Sequence, residues 1–297
     1  MITCSIGIMA YNEEANIGQL LDALIKQNLS VCSIIEIFVV ASGSVDRTED
    51  IVRDCMQIDK RIKLLTQEKR EGKASAINLF LSMTKGDICV LESGDTIPEK
   101  HTIEKLASPF VDTDIGMTGA RPVPVNRNDS FIGYSVNLLW RLHHRISLKH
   151  PKLGELVAFR NIVKEIPNDT AVDEASIEAI ITDADYRLKY IGDALVYNKG
   201  PENLTDFLKQ RRRIAAGHLH LKLSEGYTVS TQSWERIIRP FIKEVDWRGV
   251  EIFWSIGTVF LEILGRVLGY YDFYIKKRNP FIWDIAGSTK EVKGILK

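Results

Sequence analysis

Five short polar segments combine carboxylates, hydroxyls, glycines and basic residues in patterns suited to binding or reacting with a polar ligand. They read Ala10-Tyr11-Asn12-Glu13-Glu14, Ala41-Ser42-Gly43-Ser44-Val45-Asp46-Arg47-Thr48, Arg70-Glu71-Gly72-Lys73, Glu92-Ser93-Gly94-Asp95-Thr96 and Ala171-Val172-Asp173-Glu174. An aromatic face such as that of Tyr11 can stack on another flat ring, and a carboxylate beside it can accept that ring's hydrogens. Gly72 permits close backbone approach, and Lys73 stands where a helix begins. A sixth segment, Gln210-Arg211-Arg212-Arg213-Ile214, carries three consecutive cations that cannot share one helix face. Each segment also has a purely structural reading. Asn12 can cap a helix whose first turn holds Glu13 and Glu14, Asp46 and Asp95 suit turns, and Asp173 with Glu174 suits a helix start.

The elements around these segments follow from hydrophobic period. Thr3–Met9, Ile34–Ala41, Ile62–Gln67 and Asp87–Glu92 read as strands. Glu14–Lys26, Asp46–Gln57 and Lys73–Met83 read as the helices between them. Ile34–Ala41 is apolar almost throughout, as a strand covered on both faces should be. This rhythm predicts a mainly parallel sheet flanked by helices, with ligands bound beyond the carboxyl ends of the strands. The polar segments fall at those ends. Further on, Phe131–Ile146, Glu174–Thr182 and Leu204–Leu221 read as helical, and Leu153–Arg160 and Tyr186–Tyr197 as extended.

In this order and spacing the segments resemble the family 2 nucleotide-sugar glycosyltransferases, over residues 1 to about 220. The resemblance implies a GT-A (Rossmann-like) α/β fold and inverting hexosyl transfer from a nucleotide-diphosphate sugar, a UDP- or GDP-sugar. It places Tyr11 and Glu13 beside the base and gives Lys73 a donor contact. Where Ala41 and Ser42 stand the family pattern has two acidic residues, so the carboxylate that reads the base is missing and only the Ser42 hydroxyl remains. Ser93-Gly94-Asp95 occupies the DxD position. Asp95 matches the ligand of a divalent metal, Mg²⁺ or Mn²⁺, that offsets the diphosphate charge, and Ser93 replaces the first Asp. Glu92 should point away from Ser93 on an extended chain. Asp173-Glu174 falls at the general-base motif in reversed order, so either can be the base. Gln210 and Arg213 match the QxxRW element, with Arg213 stabilising the leaving group and Ile214 replacing Trp. The substitutions at Ala41, Ser42, Ser93 and Ile214 keep a second reading open, a catalytically impaired, transferase-derived binding or scaffold protein. A sugar-1-phosphate nucleotidyltransferase would need a Gly-rich, Arg-bearing loop after the first strand, which Ala10–Glu14 is not.

Bulk composition bounds the rest. The 297 residues are 45% hydrophobic and 26% charged, with 39 basic against 39 acidic side chains, so no global field favours nucleic acid. Cys4, Cys32, Cys55 and Cys89 have no CxxC spacing and read as reduced thiols. Neither His143-His144 nor His218-x-His220 has the i, i+4 spacing of a chelating pair. The N-terminus enters a strand at once, without the pattern of a signal peptide, which places the catalytic part in the cytosol. A boundary near Gly226 divides residues 1–225, the catalytic domain, from 226–297, a helical tail. In the tail, Glu251, Ser255, Thr258, Glu262, Arg266 and Gly269 form one polar or small stripe, in which Glu262 and Arg266 can pair. Trp247, Trp254, Tyr270, Tyr271, Tyr274 and Trp283 suit an interfacial belt, and Lys276-Lys277-Arg278 suits anionic headgroups. Arg239, Lys243 and Arg248 precede the helix. The tail is expected to lie on the cytoplasmic face of the cell membrane and meet a lipid-linked or polyprenyl phosphate acceptor. A single span, or packing on the catalytic domain or on a second subunit of a homo-oligomer, are its alternatives.

Overall fold

Alternation of buried side chains along the first two strands builds two apolar layers around a sheet. In a computed structural model that describes residues 1–224, 226–229, 234–245, 247, 249–277 and 287–289, these strands are β1 (Ile2–Ala10) and β2 (Cys32–Ser42). Cys4, Ile6 and Ile8 of β1 with Ile37 and Val39 of β2 pack on helices α1 (Ile17–Ile25) and α2 (Thr48–Ile58). Phe38 and Val40 face the other way, toward Ile77 and Phe80 of α3 (Lys73–Met83). Gly7 admits the Phe80 ring, since a Cβ there would come within 2.6 Å of it.

Strands β3 (Ile62–Gln67), β4 (Ile88–Ser93), β5 (Thr96–Pro98), β6 (Ile115–Pro124), β7 (Leu156–Arg160) and β8 (Arg187–Asn198) complete an eight-stranded sheet of order β3-β2-β1-β4-β7-β6-β8-β5. The first four positions pair in parallel, as does β6 with β8. β7 runs antiparallel between β4 and β6, and β5 runs antiparallel to β8, so the sheet is mixed. The stretch without a sequence-level assignment, 96–124, supplies β5, β6 and the short helix α4 (Thr102–Ala107). Two glycines and two prolines lower the strand propensity of β6. Tertiary packing keeps it extended, with Leu153 seated against Gly119.

The remaining helices are α5 (Phe131–Ser147), α6 (Asp173–Asp183), α7 (Leu204–Ser224), α8 (Trp234–Glu244) and α9 (Glu251–Tyr274). The tail helices pack on the catalytic part. Leu261 of α9 joins Ile132, Val136 and Phe207, while Phe241 of α8 and Trp254 of α9 pack on Tyr134, Leu138 and Leu142. The polar stripe of α9 is the face that does this. Ser255 and Thr258 hydrogen-bond Tyr134 and Ser135, both at 2.7 Å, and Gly265 and Gly269 lie against Arg211 and Arg212 of α7. Glu262 pairs with Arg211 at 3.3 Å across the helix–helix contact, whereas the sequence spacing had pointed to Arg266. Trp283, Arg248 and Arg278 lie outside the described residues.

Candidate active site

The ends of β1, β2 and β4 open into one cavity of about 950 Å³, whose far side is walled by helices α5, α7, α8 and α9. That is the size of an ordinary ligand pocket. Tyr11, Glu13, Ser42, Lys73, Ser93, Asp95, Glu174, Gln210 and Arg213 all line it.

Two of the polar segments interlock to form its rim. The chain turns through Asn12 (φ 51°), the Glu13 amide donates to the Thr48 hydroxyl (2.7 Å), and Asn12 Oδ1 accepts from the Val45 amide (2.9 Å). Asp46 accepts from the amides of Thr48 and Glu14, at 3.0 and 3.1 Å. Asn12 thus fastens the second segment instead of capping α1, whose N-cap is Asn16. Glu13 is buried beneath Gly94, where a Cβ would stand 2.8 Å from its Cγ, and accepts from the Asn16 side chain (3.1 Å). The Ser42 hydroxyl accepts from the Glu71 amide (3.3 Å) and donates to the Lys69 carbonyl (3.4 Å), so it also holds the third segment in place. Gly43 (φ +68°) allows the close approach of Arg70. The Arg70 guanidinium lies 4.3 Å over the Tyr11 ring, making a stacked cation where the aromatic face alone was expected.

Lys73 meets the acidic pair across a hundred residues of sequence. Its Nζ is 2.8 Å from Glu174 Oε1 and 3.6 Å from Asp173 Oδ2. Burial raises the Glu174 carboxyl, but the charge and hydrogen bond of Lys73 outweigh it and hold the group below the usual carboxylate range. Asp173 is only 1% exposed, and burial pushes its carboxyl up. Of the two, Glu174 faces the cavity.

Asp95 stands where β4 gives way to β5. Glu92 turns to the opposite face of β4, fully buried, and accepts from the Thr96 hydroxyl (3.1 Å). Burial pushes its carboxyl up to about 8, against the smaller effect of that hydrogen bond. The sequence reading passed over a nearer carboxylate, Glu155, which lines the cavity in a left-handed conformation (φ 63°). Burial, then the charges of Asp95 and Glu174, push it up to about 7, while Lys73 and Arg213 oppose the shift. Among the described residues no three His, Cys, Asp or Glu side chains are grouped to hold an ion unaided. Asp95 and Glu155 nonetheless offer hard oxygens to an open cavity. That donor set fits a Mg²⁺ or Mn²⁺ ion that takes its remaining ligands from a diphosphate and water.

The three arginines of α7 diverge as helical geometry requires. Arg212 leaves the cavity and makes a bidentate pair with Asp272 of α9, Nε to Oδ2 at 2.9 Å and Nη2 to Oδ1 at 2.8 Å. Arg211 pairs with Glu262 and also lines the cavity. Arg213 lies near the acidic groups. Burial and the charge of Arg211 lower its pKa to about 9, against the attraction of Asp173, Glu155 and Glu174.

A half-parallel sheet with polar loops at its strand ends, a carboxylate after β4 and an acidic pair opening α6 are the features of a GT-A-type fold. The sequence profile of Glycosyl transferase family 2 matches residues 5–164, and the chain belongs to that family. Glycosyltransferase AglE of Haloferax volcanii is 29% identical over 115 residues, which are 39% of this chain and 38% of that protein. The probable glycosyltransferase YdaM of Bacillus subtilis is 23% identical over 238 residues, 74% of this chain and 56% of its own length. The chain thus covers between about a third and somewhat over half the length of such curated relatives. In fold it is similar to the mannosyltransferase PcManGT from Pyrobaculum calidifontis, solved with GDP-Man and Mn²⁺ (TM-score 0.59, 18% identity, 94% of this chain and 81% of that one). Similar too is residues 1–349 of S. aureus TarS, solved with UDP (TM-score 0.52, 17% identity, 99% and 98%).

Proposed function

We propose that the protein is a divalent-metal-dependent, inverting glycosyltransferase that moves a sugar from a UDP- or GDP-sugar to a membrane-associated acceptor. The observation that carries this reading is one cavity lined both by Tyr11, Arg70, Lys73 and Asp95 and by apolar side chains of α5, α8 and α9, among them Trp140, Phe241 and Ile263. The donor's base stacks at Tyr11 and Arg70, and its diphosphate lies toward Asp95 and Lys73. A bound Mg²⁺ or Mn²⁺ supplies charge neutralisation of the diphosphate. Glu174 accepts the acceptor hydroxyl's proton as that oxygen attacks the anomeric carbon, and the bond to the diphosphate oxygen breaks on the opposite face. Arg213 stabilises the negative charge that builds on the departing nucleoside diphosphate. Asp173, beside Glu174, is the second candidate base.

The apolar lining from α5, α8 and α9 supports a lipid-linked acceptor. Membrane docking through α9 on the cytoplasmic side accords with a 24-residue helix apolar and long enough to cross a bilayer, of which 28% of the most apolar window is buried. UDP- and GDP-sugars with Mn²⁺ test the donor half by thermal shift, because a ligand that binds only the folded state raises its stability. Asp95→Ala should abolish the Mn²⁺-dependent part of that shift and the transfer activity. Undiminished turnover of Asp95→Ala, or in chelator, rejects the metal assignment, and no shift with any nucleotide sugar favours the scaffold reading.

A further inference from the structure

After α9 the chain returns to the cavity. A single 3₁₀ turn, Gly287–Thr289, lies between two of its walls. On one side Gly287 borders a second, smaller cavity of about 390 Å³ with Asn12, Glu13, Glu14 and Asp46, from the polar segments that follow β1 and β2. On the other side Ser288 is fastened to the start of α7. Its hydroxyl and its amide both donate to Asp206 Oδ2, at 2.7 and 3.2 Å, and the hydroxyl oxygen accepts from the Glu202 amide (3.3 Å). Thr289, next along, lines the main cavity. Three residues thus bridge the β1 loop and the α7 start and present a side chain to the space between them.

The two partners of this contact are unequal. Asp206 is 7% exposed and belongs to the fold beneath, where it also accepts from the Asn203 side chain (3.2 Å) and pairs with Lys209 (3.5 Å). The Ser288 hydroxyl, ahead of every other group, holds its carboxyl below the usual range, so the bond is a charge-assisted one. The turn itself contains no buried residue. An element held by a few hydrogen bonds and no apolar core opens locally at small cost, as the closing elements of ligand sites do. We propose that Gly287–Thr289 is a strap over the cavity beside the β1 loop, latched by Ser288 on Asp206, whose opening admits the donor and releases the nucleoside diphosphate. The inference rests on the transferase reading, which puts the nucleotide beside Tyr11 and Glu13. Latched, the strap withholds water, which otherwise competes with the acceptor for the sugar.

A latch that does not itself hold the ligand has a kinetic signature. Entry and exit both pass through the open state, so weakening the latch speeds both and leaves affinity unchanged. The test is stopped-flow binding of UDP and of GDP, each with Mn²⁺, to the full chain. Ser288→Ala removes the hydroxyl and should raise the association and dissociation rates together by about ten-fold, the loss expected of a hydrogen bond to a carboxylate. Ser288→Glu sets a second carboxylate against Asp206 and should raise both further, whereas Ser288→Thr keeps a hydroxyl and should behave as the parent. Kd should stay within about two-fold throughout. Urea unfolding should be unchanged, because the turn adds nothing to the core. Unaltered rates in both Ser288→Ala and Ser288→Glu overturn the strap. Faster dissociation with unaltered association, so that affinity falls, makes the turn a nucleotide contact and overturns the latch as well. Failure of the parent chain to bind either nucleotide is a distinct result, which strikes the transferase reading and takes the strap with it.

Discussion

Lys73 and the acidic pair make opposite demands on one another at the level of single residues. The ammonium holds Glu174 ionised in the resting site, as a base must be, yet the same contact lowers its proton affinity. Under the proposed function, a diphosphate arriving near Asp95 would compete for Lys73 and return basicity to Glu174 as the donor binds. Glu174→Gln should therefore lower kcat by about 10²–10⁴-fold with donor affinity near normal. Asp173→Asn, whose carboxyl is enclosed, should cost less. If Asp173→Asn is the more damaging in single-turnover assays, the two roles are exchanged. Glu92 makes a different prediction because it titrates without facing the cavity. Its folded pKa of about 8 exceeds the unfolded value of 4.5, so the folded state holds the extra proton between those limits. Stability is then fullest below pH 4.5 and falls as pH rises through about 8. Glu92→Gln keeps the shape and cannot ionise. It should match the parent in urea unfolding at pH 4 and gain on it steadily as pH rises, by roughly 4 kcal/mol at pH 9. A constant difference across that range contradicts the assignment. Of these residues, the sequence pointed to Asp95, Lys73 and the acidic pair because they sit in contiguous motifs. Glu155 had no such signal. Glu155 enters the cavity through a left-handed turn that no hydrophobic period reveals, and Lys73 meets Glu174 only after the chain has passed through four more strands.

Among the elements, α9 illustrates what periodicity can and cannot decide. The polar and small stripe at helical spacing was legible, as were the four strands and three helices of the first hundred residues, because the helices bury one face each and the central strands are apolar on both. The direction of the stripe was not legible. Small and hydroxyl residues suit close helix packing as well as they suit water. In the structure they pack against α5 and α7, and Phe253, Ile256, Phe260 and Val267 are left 57–71% exposed on the outside. Gly269 shows how tight the contact is. A Cβ there would stand 2.6 Å from the Arg212 carbonyl and 2.7 Å from the Ala215 Cβ, both parts of α7 that cannot swing aside. Gly269→Ala should cost about 1–3 kcal/mol by forcing the helices apart, despite the better helix propensity of alanine. Phe260→Ser on the outer face should change stability by about 0.5 kcal/mol or less. Chemical denaturation of the two variants gives the comparison, and equal effects mean that α9 is not docked through its small-residue face.

For the whole molecule, zero formal net charge leaves location to local surfaces, and the outer face of α9 is the apolar one. Crossing a bilayer would require this helix to leave α7, breaking the Arg211–Glu262 and Arg212–Asp272 pairs and placing Glu262, Arg266 and Asp272 in hydrocarbon. Lying in the interface keeps both pairs and turns Phe253, Ile256, Phe260 and Val267 toward acyl chains, with Tyr270, Tyr271 and Tyr274 at headgroup depth. Lys276 and Lys277 follow at once and are exposed. Each adds roughly 1 kcal/mol near anionic lipid, a contribution that salt screens. The full chain should therefore sediment with liposomes rich in anionic lipid, and carbonate should release it. Lys276→Glu with Lys277→Glu should weaken binding most at low ionic strength. Phe253→Ser with Phe260→Ser should weaken it at every salt concentration, because burial of apolar area is not screened. Resistance to carbonate means that the helix spans. Indifference to liposomes of every composition, together with a concentration-dependent dimer that Phe260→Ser disrupts, means that a second copy of the chain covers this face, and the lipid-linked acceptor loses its structural support.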